Sequence, residues 1–271
     1  MNTDTFFTQG SHRVCQDYAL HGPDYVIISD GCSSAPDTDF GARLMAKAAQ
    51  CNINYDHIEG WYQLILNNAE YYAKGMNLNE DSLFATLLIA RIRENTIQVN
   101  VLGDGAVAVK YKGGDLDGCI AVMKTVFPDS APPYLRYFLH GDYNNYFGGK
   151  NRPYQEHYYI IYQDGAVSPT EVHERELEPK MENYPTYTFG KSGVECVAMF
   201  SDGVSSFQKI INQGSSKATI LVPDSEIIRE VMSFRGYQGE FVQRRCQRAF
   251  DTFEKNGWVN FDDFSIGVIG G

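Results

Sequence analysis

Apolar residues recur at two different periods along the chain, and the change of period divides it. Asp24–Asp30 (DYVIISD) is a short β-branched run that stops at Asp30-Gly31, the pattern of a buried strand entering a turn. Beyond the polar loop Cys32–Asp37, the stretch Thr38–Cys51 sets Phe40, Leu44, Ala48 and Cys51 at helical spacing, with Asp37 or Thr38 as N-cap. A second amphipathic helix is predicted at about Asp56–Lys74, with Ile58, Ile65, Leu66, Ala69 and Tyr72 as its inner stripe. From Ser82 the period falls to two. Ser82–Arg93, Thr96–Leu102, Ala106–Tyr111 and Cys119–Val126 read as strands joined by short turns, which predicts an antiparallel meander rather than parallel crossovers. Phe127–Arg152, rich in Pro, Tyr and Gly, is expected to be an irregular insertion packed by its aromatics. His157–Gln163 and Val194–Asp202 are further strands. Helices at Asp224–Phe234 and Gln238–Lys255, the latter with Val242, Cys246, Ala249, Phe250 and Phe253 inward, precede a last strand, Phe264–Ile269. Strand runs kept apart from helix pairs define an α+β layered domain.

Composition narrows the class. At roughly 100–200 residues per domain, 271 residues suit one large domain, expected over 1–271. Lys+Arg 23 against Asp+Glu 34 leaves a net charge of −11. That balance argues against nucleic acid, whose affinity comes from Lys and Arg on phosphates, and against anionic membrane surfaces. The six cysteines are scattered with no Cys-x-x-Cys pair, which suits reduced thiols in a reducing compartment. The start of the chain lacks the basic and apolar regions of a signal peptide, and no stretch approaches the ~20 apolar residues of a membrane span. A cytoplasmic monomer is the expectation.

The candidate chemistry lies in acidic residues at strand ends. Asp30 (VIISDG), Asp104 (VNVLGDG), Asp202 (VAMFSDG) and Asp262, with Asp263 beside it (NFDDFSIGVI), all sit beside a turn at the mouth of an apolar strand. A carboxylate there is costly unless neutralised, and several at one rim repel each other. Hard oxygen ligands in a cluster are what Mg²⁺ or Mn²⁺ takes.

In order, Gln16-Asp17, Val26–Gly31 (VIISDG), Thr86 in FATLLIA, Val101–Asp104 (VLGD), Phe200–Gly203 (FSDG) and Asp262–Ser265 (DDFS) resemble the motifs of the metal-dependent serine/threonine protein phosphatases of type 2C. The stretch SAPDTDFGA after Asp30-Gly31 and the segment Ser130–Tyr137 (SAPPYLRY) look closer to a bacterial-type subgroup. The resemblance implies a four-layer α-β-β-α sandwich of two antiparallel sheets, with two Mn²⁺ or Mg²⁺ ions at the sheet edge. Asp30 would bridge both ions, the Gly31 carbonyl would bind one, and Asp202 with Asp262 would complete the other. Asp17 would act through coordinated waters, and Asp104 with Asp202 could hold a third ion. The implied activity is hydrolysis of phosphoserine or phosphothreonine in a phosphorylated protein by a water that the ions activate. Two positions depart from the pattern. Many family members carry an Arg five residues before the Asp of the first motif; here His12 stands there and Arg13 is one residue closer, either being the candidate phosphate contact. The residue after Asp30-Gly31 is often a His, and here it is Cys32.

Other readings fit less well. Gly31–Ala35 approximates a hydrolase nucleophile elbow but lacks the final Gly, and Pro36 separates it from the helix. Gly190-Lys191-Ser192 lacks the first Gly of a phosphate loop, Pro185 standing in its place. The rival that stays open is a phosphatase-like fold kept as a binding or regulatory module with weak turnover, motivated by His12 and Cys32.

Overall fold

The computed structural model describes residues 1–55, 58–128, 132–213 and 216–271, without side chains at 58, 59, 212, 213, 216 and 217. In chain order the first half holds β1 (Asn2–Thr8), β2 (Asp17–Gly22), β3 (Tyr25–Asp30), α1 (Thr38–Cys51), α2 (Ile58–Gly75), β4 (Leu87–Arg93), β5 (Thr96–Leu102), β6 (Gly105–Tyr111) and β7 (Ile120–Val126). The second half holds α3 (Asp142–Phe147), β8 (Arg152–Ile161), β9 (Glu171–Leu177), β10 (Thr186–Gly190), β11 (Val194–Phe200), β12 (Phe207–Gln213), β13 (Ser216–Leu221), α4 (Asp224–Val231), α5 (Phe241–Lys255), β14 (Trp258–Asn260) and β15 (Phe264–Gly270). The first two residues expected in the second helix, Asp56 and His57, lie outside the described residues, as do Ser130 and Ala131 of the SAPPYLRY segment.

Where two sheets were expected, the described residues form three. Seven strands run in the order β1-β15-β11-β6-β7-β8-β9, five in the order β10-β5-β4-β3-β2, and three in the order β13-β12-β14. The small sheet grows from the segment after Asp202, where the sequence shows no clean alternation. The single expected meander is also two. After β5 the chain leaves the five-stranded sheet, and β6 pairs with β11 and β7 in the seven-stranded one. Gly103 and Gly105 make that crossing at φ 115° and 134°, a region closed to most side chains, so Asp104 is held at the seam between the sheets.

Alternation explains the layering. In β3, Val26 and Ile28 face a cluster that also holds Val107, Val109, Val197 and Met199 of the other large sheet, while Ile27 faces α1 and α2. In β11, Val197 and Met199 point to that shared cluster, whereas Ala198 and Phe200 pack under α4 and α5. Strands covered on both faces read as continuous apolar runs, which is why β3 was legible as buried; β4, read at period two, is covered on both faces as well.

Helix α1 spans the expected residues but is rotated. Of the expected stripe Ala48 is buried and Leu44 half-buried against the core, but Phe40 and Cys51 are exposed, and Gly41, Ala42, Met45, Ala46 and Ala49 face inward instead. Small residues let the helix lie close to β3 and α2, which large apolar ones would prevent. In α2, Ile65, Leu66 and Ala69 are buried as expected, together with Trp61 and Tyr62, while Tyr72 is exposed. The stretch from Ser82 begins as a 3-10 turn (Glu80–Leu83) rather than as a strand. The insertion at 127–152 is less irregular than expected. A 3-10 stretch (Leu135–Gly141) leads into α3, and Tyr137 meets Phe84, Tyr146 and Phe147 with ring centroids 4.8–5.0 Å apart. Among the described residues no helix is long and apolar enough to cross a membrane.

Candidate metal centre

The acidic residues singled out in the sequence meet at one end of the seam between the two large sheets. Asp17 opens β2 and Asp30 closes β3, and the two are direct cross-strand partners. Like charges in that relation repel, and here both are also short of water. Asp17 is 1% exposed; its Oδ2 accepts from Ser201 Oγ at 2.7 Å, and its Oδ1 is buried without a partner. Burial pushes Asp17 from 3.8 up to about 7, against hydrogen bonds from Ser201 and neighbouring side chains. Asp30 is driven well above the usual carboxylate range by burial, then by the charges of Asp17 and Asp202, with both of which it is in contact. Thr86 clamps its backbone: the Asp30 amide donates to Thr86 Oγ1 at 3.2 Å, and the Thr86 amide donates to the Asp30 carbonyl at 2.8 Å. Gly31 follows because a Cβ there would stand 2.5 Å from the Thr38 carbonyl oxygen at the start of α1.

The rest of the rim comes from three later segments. Asp104 sits at the sheet crossing, pushed to about 7 by burial and by the charge of Asp202, with Lys124 opposing. Asp202 is exposed at the head of a 3-10 turn (Asp202–Ser205) that follows β11. Asp262 precedes β15 and is raised by burial and by Asp202. Asp30, Gly31, Asp104, Asp202 and Asp262 line one cleft of about 340 Å³, together with Cys32, Ser33, Ser34, Thr86 and Tyr134. Asp17 lies behind Asp30.

The donor set suits hard divalent cations. It is all oxygen, its carboxyls are raised by burial and then by one another's charge, and it contains an orphaned buried carboxylate oxygen that a proton or a cation would satisfy. Its carboxylates meet in pairs. Among the described residues, three His, Cys, Asp or Glu ligand atoms within 4.8 Å of one another occur only at Glu70, Glu80 and His140, on α2, the 3-10 turn Glu80–Leu83 and the insertion. Lys74 and Arg136 pair with that acidic group, so it reads as an ion-pair network.

Neither candidate phosphate contact is in the cleft lining, although one of them touches its rim. Arg13 is exposed and is not part of the cleft lining. His12 lies with Nδ1 3.4 Å from Asp262 Oδ1, within ion-pair distance but without hydrogen-bond alignment. Asp263, noted in the sequence only as a neighbour, is the tether of this region. It is 2% exposed and accepts from the amides of Gly10 at 2.7 Å and Gln16 at 2.5 Å, fixing the loop that carries His12 and Arg13. Ser201 and Tyr134 were not read as site residues. Ser201 lies within the FSDG motif, one residue from Asp202; Tyr134 lies in an insertion whose aromatics looked like packing. Tyr134 is 8% exposed, edge-on to Phe84 with centroids 5.8 Å apart, and its hydroxyl is pushed up by burial and by Cys32 and Asp104.

An α+β domain with a carboxylate-lined cleft where two antiparallel sheets meet is thus the class that fold and site define. The protein phosphatase 2C family model matches residues 8–125 of the chain. No curated protein matches the sequence. Solved structures of the same fold include the serine/threonine phosphatase PstP/Ppp of Mycobacterium tuberculosis, at 11% identity and TM-score 0.53, covering 98% of this chain and 97% of that one. The serine/threonine phosphatase of Staphylococcus aureus is similar at 11% identity and TM-score 0.52, over 99% and 94% of the two chains. The PstP catalytic domain in complex with two manganese ions matches at 11% identity and TM-score 0.50, over 98% and 96%. At such identities the likeness is one of fold.

Proposed function

We propose that the chain is a metal-dependent phosphatase that hydrolyses phosphoserine or phosphothreonine monoesters of proteins. The observation that carries the reading is the convergence of Asp30, Asp104, Asp202 and Asp262, from distant parts of the chain, on one cleft, with Asp17 buried against Asp30. Asp30, the Gly31 carbonyl, Asp202 and Asp262 would hold two Mn²⁺ or Mg²⁺ ions, with Asp17 supporting Asp30 and Asp104 available with Asp202 for a third. When bound, such ions acidify a water and draw in the oxygens of a phosphoryl group in line for displacement. The chain's own part is to orient that group. Among the described residues no Lys or Arg lines the cleft, so phosphoryl oxygens would be held by neutral donors: the hydroxyls of Ser33, Ser34 and Tyr134. The Tyr134 ring also walls the cleft on the insertion side and excludes water there. Cys32, with Sγ 3.1 Å from Ser34 Oγ, would orient that hydroxyl.

The lack of a guanidinium in the cleft also favours the second reading, a binding module with weak turnover. Purified protein with Mn²⁺ and p-nitrophenyl phosphate separates the two. Turnover abolished by EDTA and by Asp202→Asn supports the enzyme, and Tyr134→Phe is then expected to raise KM several-fold, as loss of one hydrogen bond of about 1 kcal/mol does. Manganese binding without turnover supports the module.

A further inference from the structure

A second concavity, of about 540 Å³, lies in the link between α4 and α5 and along the first turns of α5, and it shares no residue with the metal cleft. Its chemistry is the reverse of the cleft's. Arg235, Arg244, Arg245 and Arg248 line it over Phe234 and Phe241, and among the described residues no acidic one does, in a chain of net charge −11. Two of the guanidiniums are held by main-chain carbonyls: Arg244 donates to the Gln238 carbonyl at 2.6 Å and Arg245 to the Glu230 carbonyl at 2.7 Å. Arg245 also pairs with the Glu230 carboxylate. The side chains of Arg235 and Arg248 have neither ion pair nor hydrogen bond among the described residues.

We propose that this pocket is a docking site for an Asp/Glu-rich segment of a partner polypeptide. Four guanidiniums spread over the link and two turns of helix match carboxylates strung along a peptide better than one compact dianion. Guanidinium–carboxylate pairs are bidentate and charge-assisted, and the two phenyl rings offer an apolar floor for the stems between charges. A long polyanion such as nucleic acid fits poorly, because beyond the pocket it would run onto a surface with an excess of acid. The site is independent of metal chemistry in the cleft.

The test is fluorescence anisotropy on the full chain in EDTA, with a short labelled Asp/Glu-rich peptide, its Asn/Gln counterpart, a phosphoserine peptide without other acids, and single-stranded DNA. The acidic peptide is expected to bind, more weakly as salt rises. The double variant Arg235→Glu, Arg248→Glu, altered at exposed positions, is expected to lose about tenfold or more in affinity. Its p-nitrophenyl phosphate turnover with Mn²⁺ should match that of the parent, so a failed phosphatase reading and a failed docking site are told apart. Equal binding of the Asn/Gln peptide, or undiminished binding by the double variant, overturns the proposal. So does tighter binding of DNA, or of the phosphoserine peptide alone. Self-association of the chain that the double variant abolishes would assign the pocket to a second copy and equally overturn it.

Discussion

Replacing Asp17 by Asn should stabilise the metal-free protein and cost it most of its response to metal, two opposite effects of one substitution. The carboxyl of Asp17 is almost fully enclosed, faces Asp30 across the strand pair, and is pushed from 3.8 to about 7 chiefly by burial. A group raised in the folded state keeps its proton where the unfolded chain has lost it. Its stabilising contribution is therefore complete below about pH 4 and is lost as pH rises through about 7. At about 1.4 kcal/mol per pH unit, that interval is worth about 4 kcal/mol at alkaline pH. Asp30 and Asp104 shift in the same direction, so the wild-type slope persists in part when Asp17 alone is changed. For a chain of this size 4 kcal/mol corresponds to a change in Tm on the order of 10 °C. The assay is calorimetry in EDTA at pH 5 and pH 8, repeated at pH 8 with Mn²⁺. Wild type should melt lower at pH 8 than at pH 5 and recover with Mn²⁺, because a ligand bound only by the native state adds stability. Asp17→Asn should melt higher than wild type at pH 8 in EDTA and gain less from Mn²⁺. A variant that melts no higher than wild type under those conditions refutes the claim that uncompensated charge is buried here.

Two further outcomes follow from other parts of the molecule. Ser201 Oγ donates to Asp17 Oδ2 at 2.7 Å and accepts from the Ser265 amide at 2.9 Å, so Ser201→Ala leaves two buried groups unpaired; a loss of about 1–3 kcal/mol is expected, read as a lower urea midpoint at unchanged slope. Phe253 of α5 meets Phe207, Phe250 and Trp258 at 5.2, 5.6 and 5.4 Å, and Phe253→Ala should cost about 3–5 kcal/mol by the same assay while leaving the Mn²⁺-induced rise in Tm intact.

Local pattern carried the elements whose two faces are both enclosed. β5 and α1 have the residues that periodicity assigned, and β3, β11 and β15 differ from expectation by one or two at an end. It missed β1, β2 and the small sheet, whose sequences mix Thr, Asp, Lys and Gln with apolar residues; they become strands through pairing with partners far along the chain, as β1 does with β15. The rotation of α1 has a similar cause. A stripe of large apolar residues was the signal sought, whereas packing against β3 selected the face of small ones. The acidic rim was legible because each Asp closes or opens an apolar strand, a local feature. The neutral side of the cleft was not, since nothing near Tyr134 in sequence shows that the insertion folds back over Cys32 and Asp104.

The pairing of β1 with β15 has a bearing on biosynthesis. Asp17 and Asp30 leave the ribosome well before Asp262 and β15, against which β1 and β11 align. Contacts between residues so far apart in sequence form slowly, after large loops have closed. The carboxylate-lined cleft is therefore not closed until β15 has been made and has docked between β1 and β11.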